Sequence, residues 1–444
     1  MKKTLNKRSI ILVGITLFSM FFGSGNLIFP PYLGFQAGGK AWFGLLGFAL
    51  TAIICPVLAV IAIARFDDLP HLAGKAGKKF AIIFTILAFL SIGPCLAIPR
   101  NAAVSFEMAV VPFVKTPTLA LRLIYSLIFF GISYLLCVHP ESLTDTLGKI
   151  LGPVLLGLML FVAVLCMIRI PYVSLEPTGA YADHQVLQGF LDGYQTMDTI
   201  AALNFGNIIA LNIVHMGIKD KKEVVSGTMK AGIIAGILLF VVYAAMMQVG
   251  VLSGTVSQNA TNGANVLTNI VGSLLGNKGI ILLGVIYVLA CLTTCVGLLC
   301  SCAEYFASIS KMSYKKWIIL FTVSSFAMSI VGLDQILKIS VPILNAIYPV
   351  AMVLVLLGQF KKHLEKHPMV FPSAILLTGI VSVMYALSSA GIRIPYVTGL
   401  ILSIPPTADL CWLIPAAAGI VIGWVLPAGR LGDSCSLSAD REAS

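Results

Sequence analysis

Stretches of about 20 apolar residues, each long enough to cross a hydrocarbon core, recur from one end of this chain to the other. Backbone inside a bilayer must satisfy its own hydrogen bonds, so a chain built from such stretches folds as helices. The composition agrees: 58% of residues are hydrophobic, 11% are charged, and mean hydropathy is +0.98. A soluble domain carries roughly a quarter charged residues. No hydrophilic stretch is long enough for a separate unit, so residues 1–444 read as a single polytopic domain.

Hydropathy, charge and Pro/Gly punctuation give twelve spans. They lie near 10–37, 41–64, 80–111, 119–138, 147–170, 189–217, 231–252, 279–305, 317–332, 335–358, 370–388 and 411–427. Segment 171–188 is polar and acidic and reads as an outside loop. Segment 253–278 alternates apolar and polar residues, which suggests a short helix on the protein surface. The tail, 430–444, is polar and reads as disordered.

A net charge of +11 could point to nucleic acid, but the charges are placed otherwise. Lys and Arg gather at every second loop, at Lys2, Lys3, Lys7 and Arg8, then Arg65, Lys75, Lys78 and Lys79. The pattern returns at Lys219 to Lys230, Lys311 to Lys316 and Lys361 to Lys366, while the alternate loops hold few. This positive-inside asymmetry puts both termini in the cytoplasm and excludes a nucleic-acid partner. The first apolar run continues to about Gly38 with no small-x-small cleavage site close behind, so it reads as a helix rather than a signal peptide. Ten cysteines lie nearly all in apolar runs, and the group from Cys291 to Cys302 fits no common zinc spacing. The six histidines sit near span ends or in loops and receive no role.

Two spans are poor helices at mid-membrane. The first holds Phe22-Gly23-Ser24-Gly25-Asn26, with Pro30 and Pro31 a turn later. The sixth holds Leu203-Asn204-Phe205-Gly206-Asn207, preceded by Asp198. Gly25-Asn26-Leu27-Ile28 is echoed by Gly206-Asn207-Ile208-Ile209, an offset that maps span 1 onto span 6. Two five-helix repeats follow, about 10–170 and 189–358, with extra helices over 370–427. Five is odd, so the second repeat enters inverted, an arrangement of transporters whose site lies where interrupted helices meet.

A broken helix offers N–H groups suited to a carboxylate and carbonyls suited to a cation or ammonium, and a zwitterionic amino acid needs both. Gly23 and Gly25 equally suit close helix packing. In span 8, Thr293 and Thr294 either supply hydroxyls to a hard cation or bond back to their own helix. Arg100, two thirds across span 3 behind Pro94 and Pro99, and Asp198 are ionisable residues in the membrane, which are costly and usually functional. Arg100 either snorkels outward or pairs with Asp198 as an outer gate; Asp198 alternatively polarises a substrate amine or balances a cation.

These segments resemble the bacterial branched-chain amino acid:cation symporters, the system II leucine/isoleucine/valine carriers. The resemblance rests on Phe21 through Pro31, Ile92-Gly93-Pro94 with Ala97 through Arg100, and Gly193-Tyr194 with Thr196-Met197-Asp198. It extends to Ala290 through Thr294, Cys302 through Phe306, and Val341 through Leu344 with Tyr348-Pro349. It implies an all-α protein of the amino acid–polyamine–cation type with helices 1 and 6 broken, in a bacterial cytoplasmic membrane. It implies uptake of leucine, isoleucine and valine, coupled to sodium or to protons, by a monomer or weak oligomer without an enzymatic cofactor. By similarity, carbonyls of Ser19, Phe22 and Ala290 with the hydroxyls of Thr293 and Thr294 would hold sodium. The carboxylate would meet Ser24 and Gly25 beside Asn26, and the amine an unwound stretch from Thr199 through Ala201 to Ala202. Ala201 and Ala202 depart from the polar residues of some relatives. Phe21, Ile98, Leu203 and Phe205 are candidates for an apolar wall. A channel would need a continuous polar lining and an enzyme a cluster of His, Asp or Glu; neither pattern is present. A proton-coupled or differently selective neutral amino acid carrier is the alternative.

Overall fold

The computed structural model describes residues 6–114, 116–138, 152–173, 175–257, 259–392, 399 and 408–426. Among these, all regular structure is helical. Asn6 accepts from the Ser9 N–H and starts α1 (Lys7–Phe21). The chain then straightens at Gly23 (φ −119°, ψ −159°) and restarts as α2 (Ser24–Ala37), which ends at Gly38 with φ +50°. α3 (Ala41–Ala49) passes through a π-turn at Leu50–Ile54 into α4 (Cys55–Phe66), just before Pro56 removes a backbone donor. The short α5 (Leu69–Gly74) leads to α6 (Lys78–Leu90). A second π-turn, Ser91–Cys95, joins α6 to α7 (Ala97–Ala109), and Gly93 beside Pro94 leaves helical geometry there.

Next come α8 (Leu119–Cys137), α9 (Gly152–Arg169), α10 (Gln185–Tyr194) and α11 (Asp198–His215). α10 and α11 are bent by 47° at a break that contains Met197 in the left-handed conformation (φ +66°). The remainder is α12 (Lys221–Leu252), α13 (Gly263–Ile309), α14 (Tyr314–Ser329), α15 (Leu333–Gln359), α16 (Lys361–Leu364), α17 (Val370–Ser389) and α18 (Leu413–Val425). Among the described residues, helix occupies part of each of the twelve apolar runs. Among the described residues, eight stretches are individually long and apolar enough to cross a membrane, nine if the bent pair counts as one.

The side chains are sorted as lipid requires. Ile82, Leu127, Leu135, Ile168 and Val421 point outward, whereas Thr51, Asn26, Arg100, Asn101 and Asp198 are buried. Among helix pairs, α1 and α2 both pack along α12, while α10 packs on α3 and α11 on α4. The α2–α12 contact is backbone to backbone. A Cβ on Gly34 would lie 1.9 Å from the Met247 carbonyl oxygen, and one on Gly250 would lie 2.0 Å from that of Pro31.

Three expectations change. The sixth-span break lies at Gln195–Met197, not at Leu203–Asn207, and Thr199, Ala201 and Ala202 are helical. Gly206 is there for packing: a Cβ would sit 2.9 Å from the Ile63 side chain. The connection 253–278 does form a helical segment, since Gly276 (φ +57°) interrupts α13, but the segment is sunk against the protein. It buries Val266, Leu267, Ile270 and Val271, and Gly263 lies against the Ile28 backbone. The expected tail 430–444 and the start of the fifth span, 147–151, lie outside the described residues.

Candidate functional site

The two breaks face each other. Asn26, in the first turn of α2, donates from Nδ2 to Asp198 Oδ2 at 2.6 Å, the first residue of α11. The same nitrogen contacts the Tyr243 hydroxyl of α12, which donates to Asp198 Oδ2 at 3.2 Å. The three side chains are fully buried, and an ionised carboxylate there needs such donors.

Arg100 reaches in from α7. Its Nη1 donates to the Gln195 carbonyl at 2.5 Å, its Nη2 to that of Thr196 at 3.3 Å, and its Nε to Ser24 Oγ at 3.3 Å. A cation belongs at the carbonyl end of a helix, and these carbonyls follow directly on α10. Among the described residues no ion pair joins Arg100 to Asp198; the buried guanidinium binds backbone carbonyls of the second break and the Ser24 hydroxyl of the first. Thr199 fixes the start of α11 further: its N–H donates to the Tyr348 hydroxyl at 3.1 Å and its Oγ1 to the Thr51 carbonyl at 3.2 Å.

The glycines of the first break make room for these groups. A Cβ on Gly25 would lie 2.9 Å from Arg100 Nη2 and 3.0 Å from Thr196 Cα. One on Gly23 would lie 2.8 Å from Thr294 Oγ1. Gly23 lies at the break and Gly25 in the first turn of α2, and both permit close approach. Thr294 donates to the Met20 carbonyl at 3.4 Å, in the last turn of α1, whereas Thr293 bonds back to Ala290 at 2.9 Å. Thr294 together with the carbonyl end of α1 is an all-oxygen set of the kind a hard cation takes. Ser19 donates its hydroxyl to Ile15 and turns it into its own helix.

A cavity of about 20 Å³ lies between the breaks. It is lined by Phe21, Ser24, Gly25, Asn26, Arg100, Asp198, Ala201, Phe205 and Thr294 from the sequence expectation, and by Met20, Asn101, Thr196 and Met197 in addition. Phe21 and Phe205 form one wall, with ring centroids 5.6 Å apart. Ile98, Thr199, Ala202, Leu203, Ser19, Phe22, Ala290 and Thr293 are buried close by in sequence but do not line it. This volume suits a water molecule and not a branched side chain, so a larger ligand requires the breaks to move apart.

The pattern of the family described as "Branched-chain amino acid transport protein" matches residues 6–429. The chain belongs to this family. It is 38% identical over 432 residues to the branched-chain amino acid permease BraB of Bacillus subtilis, covering 96% of this chain and 97% of that one. It is 36% identical to the branched-chain amino acid transport system 2 carrier protein of Pseudomonas aeruginosa (94% and 95% covered) and 34% identical to the permease BrnQ of Escherichia coli (97% and 98%). Among solved structures it resembles Mhp1, a nucleobase-cation-symport-1 family transporter, at 14% identity, TM-score 0.56, with 94% and 91% of the chains covered. MhsT in complex with L-phenylalanine gives 16% identity and TM-score 0.56, with 96% and 99% covered. These two show the fold alone.

As a member of the branched-chain amino acid transport family, the chain is a multi-span membrane transporter and not an enzyme. Tyr243 and Asn101 are two of the polar residues at the breaks to which the sequence reading gave no role. Asn101 had a signal, a second polar residue directly after Arg100 in an apolar span; Tyr243 is a single hydroxyl in an apolar run and had none.

Proposed function

We propose that this protein is a secondary active symporter that imports leucine, isoleucine and valine together with sodium by alternating access. The observation that carries the reading is the meeting of two helix breaks at one buried cavity, joined by the Asn26–Asp198 hydrogen bond. Its curated relatives are branched-chain amino acid permeases and carriers, which supports the substrate class. A zwitterion finds the N-terminus of α2 for its carboxylate and Asp198 for its ammonium. Phe21, Ala201 and Phe205 offer the aliphatic chain an apolar wall. One methylene in such a pocket discriminates by only about 1–3 kcal/mol, so the three substrates compete for a single site.

The helices are read as twelve spans, the first ten forming two inverted repeats of five within one domain, both termini cytoplasmic. Exchange packing supports this: span 1 lies along span 7, as span 6 lies along span 2. Sodium binding between Thr294 and the end of α1 orders the first break and completes the substrate site; the loaded pair of broken helices then tilts to open inward. Proton coupling is the second reading, favoured by the buried carboxylate of Asp198, which could carry the proton itself.

Purified protein in liposomes takes up leucine when an inward sodium gradient is imposed, and unlabelled isoleucine and valine compete. Uptake unaffected by replacing sodium with choline at constant pH removes the sodium reading. Uptake then driven by an inward proton gradient establishes the second.

A further inference from the structure

Asn101 is fully buried, lines the cavity, and has a side-chain nitrogen with no hydrogen-bond partner. Its orientation is fixed by its other atom. The Ser24 N–H, at the start of α2, donates to Asn101 Oδ1 at 3.2 Å, so the oxygen must face that N–H and Nδ2 takes the opposite corner of the amide. A buried amide N–H left unpaired costs free energy comparable to a lost hydrogen bond, and such a group in a cavity calls for an acceptor.

Other donors belong to the same lining. Ser24 N–H, where a carboxylate was expected, is already taken by Asn101. The next N–H, that of Gly25, belongs to the first turn of a helix that Gly23 leaves without a side-chain cap, and such groups have no partner within the helix. The Arg100 guanidinium lies against Gly25. Asp198, the carboxylate among the lining residues, is held by Asn26 and Tyr243.

We propose that Asn101 is the substrate-carboxylate ligand: Nδ2 donates to the carboxylate while Oδ1 holds the N-terminus of α2 in place. The substrate therefore lies with its carboxylate toward α7 and its ammonium toward α11. Span 3, and not the broken helices alone, tells an amino acid from an amine. This assignment rests on the amino acid reading above and specifies which group recognises the carboxylate.

Asn101→Asp tests it because an aspartate keeps an acceptor for the Ser24 N–H but replaces the donor with a second acceptor. In liposomes under the wild-type driving gradient, the variant is compared with wild type by competition between leucine and leucinamide, whose terminal group donates where leucine's carboxylate accepts. The leucine-over-leucinamide preference is expected to fall at least about tenfold, the range for a hydrogen bond to a charged group. Equal losses for both compounds, or an unchanged preference, overturn the proposal. If the aspartate variant does not fold, Asn101→Ala decides by the same preference ratio, since it removes the side-chain donor altogether. Wild-type protein that neither transports nor binds leucine refutes the amino acid reading itself, an outcome separate from any result with the variants.

Discussion

The two breaks do the same thing to the chain by opposite means. The first, at Phe22–Gly23, is made by absent side chains: Gly23 admits Thr294 and Gly25 admits Arg100, and the break itself brings no charge. The second has no glycine at its turn. Met197 is buried and left-handed, the Gln195 and Thr196 carbonyls are held by Arg100, and the helix that restarts begins with the charged Asp198. The first break thus supplies space and open backbone, the second supplies charge and is held in shape by its neighbours. A site for a zwitterion and a cation needs both kinds.

The charge should matter most. Asp198→Asn removes the carboxylate that Asn26 and Tyr243 address, and hydrogen bonds to a charged group are worth about 1.5–3 kcal/mol. Leucine uptake in liposomes is expected to fall about 100-fold in kcat/KM, near the top of that range. Retention within about threefold would place the ammonium elsewhere and reduce the second break to scaffolding.

Space comes next. Gly25→Ala brings a methyl to 3.0 Å from Thr196 Cα, a backbone atom of the opposite break that cannot rotate aside. Overpacking of this kind costs about 1–3 kcal/mol, so we expect a loss of uptake of about tenfold or more with folded protein still recovered. Normal uptake in this variant would show that the breaks are not in tight contact during the cycle.

Met197→Gly tests how the second break is held. Relief of left-handed strain favours the variant by about 1–2 kcal/mol. Loss of a buried Met side chain costs about 2–5 kcal/mol, so packing wins on balance and the variant is expected to be less stable by up to about 4 kcal/mol. Thermal unfolding in detergent reads the sign directly. A more stable variant would mean that the second break, like the first, is limited by backbone strain.

The same contrast explains what the sequence made legible. Apolar runs announced the helices, and glycine in the middle of one announced the first break, because both signals are local. The second break was expected at Leu203–Asn207 since Asn and Gly there look like breakers too. In the folded chain Asn204 donates back to the Ile200 carbonyl at 3.4 Å, and Gly206 packs on Val60 and Ile63. What opens the chain at Met197 is Arg100 from span 3 and Tyr348 from span 10, partners that no local pattern reveals. Asn26, Asp198 and Arg100 stood out in the sequence because polar groups are costly in a membrane; who bonds to whom depended on tertiary contacts.

The smallest effect falls on the pair of threonines that the sequence could not separate. Thr294 looks across to the Met20 carbonyl at the open end of α1, and Thr293 turns back to Ala290. If the carbonyl end of the first break holds the coupling ion, removing the hydroxyl that faces it weakens the ion and leaves the amino acid site largely intact. Thr294→Ala should then raise the sodium concentration for half-maximal uptake several-fold, the range of one hydrogen-bond-sized contribution of about 0.5–1.5 kcal/mol, while maximal leucine binding changes little. Thr293→Ala loses only a bond within its own helix, so its sodium response should stay close to wild type. The reverse order of the two variants would detach the ion from the first break. Two wild-type responses would take the hydroxyls of span 8 out of the ion site and leave any ion at the first break to backbone carbonyls.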